Sequence, residues 1–282
     1  MVTASIVTYR TPLAEIEHTI RYASASAIDR LYIVDNSSDE TLRRLCSGHE
    51  TLVSYMGSEN IGYGAAHNLA IRQAAADGSR YHLIMNSDIE AGPDDVERII
   101  SFMETHVDVG MLQPCIVNPD GSLQHTARLL PTPFDLILRR FLPGGWFKKR
   151  RDRYLLKSLD HTRPFTSNYL QGSFIFCRTE ALTDAGLFDE RFFMYPEDID
   201  LTRRLSRHHT ALYWPDVKVI HHHAAASYSS SRMLRVHIIN MIRYFNKWGW
   251  IFDGERRRLN RLTLSQNQLL YSRRDDSGTM PL

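Results

Sequence analysis

Short apolar runs recur along the first hundred residues, and each is followed by a stretch whose apolar positions fall at helical spacing. Residues 4–9 (ASIVTY), 31–34 (LYIV), 52–56 and 81–85 (YHLIM) are β-branched or aliphatic runs of strand length. Residues 13–25, 64–76 and 93–106 carry the three-to-four-residue period of helices, with Ile99, Ile100 and Met103 as the apolar face of the last. Strands alternating with helices predict an α/β fold: a mostly parallel central sheet covered by helices on both faces. Ligands bind such sheets beyond the carboxyl ends of the strands. Asp35, Asn60-Ile61-Gly62 and Asp88, which all follow strand ends, are therefore expected to share one rim.

Beyond residue 110 the pattern changes. Asn118-Pro119-Asp120-Gly121-Ser122 predicts a turn between two extended runs. Residues 131–165 mix Pro, Gly, aromatic and basic residues and read as an irregular excursion. A strand is predicted over 174–177, a short helix over 179–185 and a further helix starting at Glu197-Asp198. Two more strands, 211–214 and 217–220, lead into His221-His222-His223. The expected organisation is one α/β domain over 1–230, a helical region over 231–264 and a disordered polar tail over 265–282.

Composition narrows the class without naming it. With 282 residues, 43% of them apolar, the chain can bury a large core. A net charge of +2 gives no reason to expect a nucleic-acid partner. Basic residues cluster locally, however: Arg139, Arg140, Lys148, Lys149, Arg150, Arg151 and Arg153 surround Phe141, Trp146 and Phe147. Cys46, Cys115 and Cys177 form no CxxC pair, which suits a reducing cytoplasm and excludes a cysteine-based zinc site. No apolar run is long enough to span a bilayer, and no leader pattern opens the chain. The expected location is the cytoplasm, with peripheral contact at the inner face of the membrane. Two stretches suggest that contact, the aromatic and basic one at 141–151 and the helix around 241–248.

Two acidic motifs carry the candidate chemistry. Tyr195-Pro196-Glu197-Asp198-Ile199-Asp200-Leu201 places three carboxylates in the first turn of a helix, where the dipole is expected to keep an Asp ionised. Such an Asp could take a proton from a substrate hydroxyl. Asn86-Ser87-Asp88 ends an apolar strand, where an acid needs a partner such as Mg²⁺ or Mn²⁺ on a diphosphate. Adjacent strand residues point to opposite faces, so either His221 and His223 share one side of a site or His222 acts alone. Gly62 and Gly64 lead into a helix whose start offers N–H donors. The dinucleotide fingerprint, the Walker phosphate loop and the GxSxG elbow are absent from the sequence.

The ordered series Ile6-Val7-Thr8-Tyr9, Val34-Asp35-Asn36-Ser37-Ser38, Asn60-Ile61-Gly62-Tyr63-Gly64, Asn86-Ser87-Asp88, Gly172-Ser173, Phe188-Asp189-Glu190-Arg191 and Glu197-Asp198-Ile199-Asp200 resembles family 2 glycosyltransferases. The similarity leans toward bacterial rhamnosyltransferase-like members that build cell-surface polysaccharides. It implies a GT-A fold with a helical C-terminal extension, its nucleotide-sugar half over 1–110 and its acceptor half over 111–230. It further implies inverting transfer from a nucleoside-diphosphate sugar, dTDP-rhamnose among the candidates, to a saccharide or lipid-linked saccharide. By that resemblance Thr8, Tyr9, Asp35, Asn60, Gly62, Asn86, Ser87 and Asp88 would line the donor nucleotide, and Asp88 with His222 would hold the metal. Asp198 would be the base beside Glu197, and Gly172 and Asp200 would shape the acceptor pocket. Asn86 stands where the family often has Asp, which leaves a catalytically impaired nucleotide-sugar-binding homologue as the alternative.

Overall fold

A computed structural model describes residues 1–138, 147–222 and 231–275. Four strands, β1 (Val2–Thr8), β2 (Arg30–Asp35), β3 (Val53–Gly57) and β4 (Tyr81–Met85), run parallel in the order β3-β2-β1-β4. The crossovers are α1 (Leu13–Ala25), α2 (Glu40–Ser47) and α3 (Tyr63–Ala76). Period-two alternation decides which face each strand residue covers. On β2, Leu31 and Ile33 join Ile16, Ile20 and Leu42, whereas Tyr32 and Val34 pack on Ala66, Ala70 and Ala74 of α3. The small residues of α3 let that helix lie close to the sheet. Each fully buried Ile or Leu contributes roughly 1.5–3 kcal/mol.

The sheet continues through β5 (Ile89–Glu90), β6 (Val109–Val117), β7 (Phe165–Thr166), β8 (Phe174–Arg178) and β9 (Thr210–His221). Its full order is β3-β2-β1-β4-β8-β6-β9-β5, with β7 also on β9. Here pairing is mixed: β8 runs antiparallel to β4 and β6, while β6 and β9 are parallel. The two strands expected over 211–214 and 217–220 are one strand with a bulge. Pro114 pairs with Trp214 and Cys115 with Lys218, so the register jumps across Pro215, which has no N–H to offer the ladder. The predicted turn forms, with Gly121 at φ +81° and its N–H on the Asn118 carbonyl oxygen.

The remaining helices are α4 (Asp95–Thr105), α5 (Lys148–Tyr154) within the excursion, α6 (Thr179–Asp184), α7 (Glu197–Leu205), α8 (Ser231–Trp248) and α9 (Gly254–Asp275). Helix α9 runs into the stretch assigned to a tail, and residues 276–282 lie outside the described ones. The C-terminal helices are tied to α7 by Arg203. Its guanidinium is buried, makes a bidentate pair with Asp253 (2.8 and 2.7 Å), reaches Glu255 at 2.8 Å and stacks 3.9 Å over Trp248. Met241, Tyr244 and Phe245 of α8 are buried against the rest of the molecule, while Ile238, Ile239 and Ile242 of the same helix are exposed. Of the other stretch expected at a membrane, residues 139–146 lie outside the described ones. No helix among the described residues is long and apolar enough to cross a membrane.

Candidate active site

The N-terminus of α3 is the point where both halves of the molecule meet. Gly62 sits at φ +96°, and a Cβ there would lie 2.3 Å from the Phe193 carbonyl oxygen. The same oxygen accepts the Tyr63 N–H at 2.9 Å, and Asn60 Oδ1 accepts the Gly62 N–H at 3.3 Å. These two donors of the helix start are therefore spent inside the protein. The glycine is required by backbone packed against the 188–193 loop, a demand distinct from nucleotide binding. Asn68 completes the clamp, with its Oδ1 on the Phe188 N–H and its Nδ2 on the Phe188 carbonyl, each at 2.9 Å.

From that clamp the Tyr63 ring reaches into the space between the two acidic motifs. Its hydroxyl donates to the Gly172 carbonyl oxygen at 2.6 Å and lies 3.1 Å from Asn86 Oδ1. The N–H of the same Gly172 donates to Asp198 Oδ2 at 3.1 Å. One glycine and one phenol thus join the Asn86-Ser87-Asp88 strand end to the start of α7. Burial, then the charges of Glu197, Asp198 and Asp88, push the Tyr63 phenol well above its ordinary range. It stays a neutral donor.

Burial dominates the titration of the α7 acids. It raises Asp198 above the usual carboxylate range, against the Gly172 and Ile199 N–H bonds and the Arg128 guanidinium. The direction is opposite to the one expected from the helix dipole alone. Burial and the Asp198 charge raise Glu197 well above its ordinary value. Glu197 has an Oε2 without a hydrogen-bond partner among the described residues, whereas Asp198 collects two N–H donors, so the shared proton rests on Glu197. Asp200 belongs to a different face. Two residues further round the helix, it is fully buried and bound by Arg204 Nε (2.8 Å), Lys247 Nζ (2.6 Å) and Trp248 Nε1 (2.8 Å). It fastens α8 to α7 instead of shaping an acceptor pocket.

At the strand end, the histidine beside Asp88 is His221. Its Nε2 lies 3.3 Å from Asp88 Oδ1, and the ring is 1% exposed. The expectation of His222 is thereby corrected: that imidazole points outward and pairs with Glu90 at 2.9 Å, as strand alternation requires. His223 lies outside the described residues. Gln124 donates its amide to the His221 carbonyl (3.1 Å) and to Asn118 Oδ1 (2.7 Å), which turns its own Oε1 toward His221 Nδ1 at 3.0 Å. Nδ1 thus faces the Gln124 amide oxygen, while Nε2 faces the Asp88 carboxylate and, at 3.5 Å, the Asn86 amide nitrogen. An imidazole nitrogen and a carboxylate oxygen placed like this could share a cation. Their separation is close to the ~3.0 Å between adjacent corners of an octahedral shell with bonds of about 2.1 Å. No group of three or more His, Cys, Asp or Glu side chains suited to a metal occurs among the described residues. One carboxylate and one imidazole are a pair that Mg²⁺ or Mn²⁺ could use if other oxygen ligands completed its shell.

The other expected nucleotide residues line the same rim. Asp35 is buried and already accepts from Thr8 Oγ1 (3.2 Å), Ser37 N (2.9 Å), Ser37 Oγ (2.6 Å), Asp39 N (2.6 Å) and Tyr55 OH (2.9 Å). Burial would raise its pKa, but these hydrogen bonds outweigh it and hold the carboxyl below its ordinary value. A nucleotide base could bond Asp35 only if one of these five donors gave way. Thr8 is buried against Asp35, Tyr9 is exposed with Arg10 over its ring, and Ser87 bonds Glu15 at 3.2 Å. Sequence reasoning missed Arg128. Its guanidinium binds Gln171 Oε1 at 3.0 Å and the His125 carbonyl at 2.6 Å, and its charge favours ionised Asp198. A lone arginine in the run Ala127-Arg128-Leu129-Leu130 was the available signal.

Comparison with known proteins places these features in a wider group. A family model described as glycosyl transferase family 2 matches residues 4–184. The N-acetylglucosaminyl-diphospho-decaprenol L-rhamnosyltransferase of Mycobacterium tuberculosis is 29% identical over 220 residues, 73% of this chain and 70% of its own. The rhamnosyltransferase WbbL of Escherichia coli is 27% identical over 225 residues, covering 76% and 81%. Among solved structures, GalNAc-T7 with UDP, GalNAc and Mn²⁺ superposes with a TM-score of 0.61 at 14% identity, over 88% of this chain and about half (48%) of its own. The mannosyltransferase PcManGT of Pyrobaculum calidifontis with GDP-Man and Mn²⁺ gives 0.57 at 16% identity, over 99% and 76%. The shared architecture is the GT-A fold.

Proposed function

The chain belongs to glycosyl transferase family 2, and from that premise we propose that this glycosyltransferase works by inverting, metal-dependent displacement. The donor is a nucleoside-diphosphate sugar, with dTDP-rhamnose the first candidate. The acceptor is a saccharide or lipid-linked saccharide of the cell surface. The names of the rhamnosyltransferase relatives support that choice of donor and acceptor. The observation that supports the reading is the Tyr63–Gly172 junction, which links the Asn86 end of the Asn86-Ser87-Asp88 segment to Asp198 at the start of α7.

Asp198 accepts the proton of the attacking hydroxyl, its charge held by the Gly172 and Ile199 N–H groups and by Arg128. Glu197 keeps its own proton and so does not compete for that role. Asp88 and His221 would hold Mg²⁺ or Mn²⁺, which when bound would supply neutralisation of the departing diphosphate. Tyr63, a neutral donor between the acids, fixes Gly172 and Asn86 in place. Incubation with dTDP-, UDP- and GDP-sugars and Mn²⁺, with release of nucleoside diphosphate as the readout, tests the reading. Release from one of them is expected. Tight binding without release would favour the impaired homologue, and neither binding nor release would remove the proposal.

A further inference from the structure

On the C-terminal side of the molecule, α5, the 129–135 segment and the start of α9 enclose a groove of about 810 Å³. Five arginines line it, Arg150, Arg153, Arg256, Arg257 and Arg261. Asp135 is the one acidic side chain in the lining, and Arg150 already binds it at 2.8 Å. Arg153, Arg257 and Arg261 have no carboxylate within ion-pair distance among the described residues. Arg256 is the unusual member. It is 5% exposed, yet its contacts are weak: the Pro131 carbonyl at 3.4 Å, the Ile251 carbonyl at 3.5 Å, and Asp253 at 3.9 Å. Asp253 is itself committed to the bidentate pair with Arg203. A buried cation held this loosely calls for an anion from outside.

Apolar side chains stand at the mouth of the groove. Trp250 and Ile251 line it, and Ile251 and the adjacent Phe252 are 68% and 87% exposed. A free phosphate or an acidic peptide would account for the arginines but not for a bare Ile-Phe pair beside them. An amphiphile with a phosphate head accounts for both. We propose that this groove docks the protein on an anionic lipid surface, its arginines taking headgroup phosphates while Ile251 and Phe252 enter the acyl boundary. The site shares Arg150 with the 141–151 stretch picked out in the sequence but is built mainly by the 129–135 segment and the start of α9, and it stands independently of the transferase reading. Leu129 and Leu130 of the lining follow Arg128 directly in the chain.

The test is flotation of the full chain with phosphatidylglycerol-containing and pure phosphatidylcholine vesicles. Co-flotation only with the anionic vesicles is expected, and no binding to them overturns the proposal. Each basic residue lost near the surface lowers partitioning about fivefold, so R257Q/R261Q is expected to lose about 25-fold. Phe252→Ser is expected to weaken binding to the same vesicles, with thermal melting unchanged because the side chain is exposed. Variants that float like the wild type would refute the site. So would inorganic pyrophosphate raising the melting temperature of the wild type while vesicles fail to bind, which would mean a soluble anion site. Nucleoside diphosphate release, measured on the same variants, separates this outcome from any failure of the transferase reading.

Discussion

Replacing Asp198 by Asn removes one charge and no volume, so its consequences can be worked out closely. The carboxylate accepts from Ile199 N at 2.8 Å and Gly172 N at 3.1 Å. Asn can keep one of these bonds through its Oδ1, while its amide group faces the other N–H. Losing one such bond costs about 1.5–3 kcal/mol, offset by no longer burying an ionised group and by relief of the charge acting on Glu197. Stability should therefore change by only about 1 kcal/mol. Loss of general-base catalysis, in contrast, should lower kcat about 10²–10⁴-fold, or about 3–5 kcal/mol of transition-state stabilisation. The assay is nucleoside diphosphate release at saturating donor and acceptor, with the donor Kd by calorimetry. The donor Kd should hold while kcat falls. The wild-type acid limb should sit above the ordinary carboxylate range, because burial raises Asp198. Glu197→Gln should move that limb, since the two carboxyls titrate together. Turnover above a tenth of wild type in Asp198→Asn would refute the assignment.

Two other perturbations separate neighbouring claims. His221→Ala should weaken Mn²⁺-dependent binding of nucleoside diphosphate by about tenfold or more, while His222→Ala should leave it within about twofold; calorimetry with and without Mn²⁺ reads both, and equal effects would undo the assignment. The buried chain Thr3–His82–Ser5–His67 predicts acid sensitivity, because burial pushes His82 down to about 3 and moves His67 in the same direction. The unfolded chain binds a proton at His82 below about pH 6.5 and the folded one only near 3, so stability falls as pH drops through that window. At pH 5 His82 alone should cost about 2 kcal/mol relative to pH 7.5, and denaturant midpoints of His82→Gln should show a shallower slope.

The first half was legible because its central strands β1, β2 and β4 are almost wholly buried and its helices periodic. Both β2 and β4 coincide with their apolar runs, and the rim follows from strand ends alone. The second half was less so. Pro215 split one bulged strand into two apparent ones, and the mixed pairing of β6, β8 and β9 leaves no trace in local pattern. The acids of α7 were found, but their roles divide by helix face: Asp198 faces Gly172, and Asp200 faces Lys247. That division depends on where α8 packs, which the sequence of α7 does not encode. The histidine was narrowed by alternation, and which ring meets Asp88 depends on Glu90 of β5 and on Gln124 in the segment after β6.

The contact between Gly62 and the Phe193 carbonyl has a bearing on how this enzyme could change its substrate. Main chain abuts main chain beside the cleft, with no side chain between them to lengthen or trim. The spacing between the start of α3 and the 188–193 loop is thus set by backbone contact at that seam. A change in this region would therefore have to come through nearby side chains, such as Tyr63 and Arg128, because the backbone at the seam leaves no room to move apart or together.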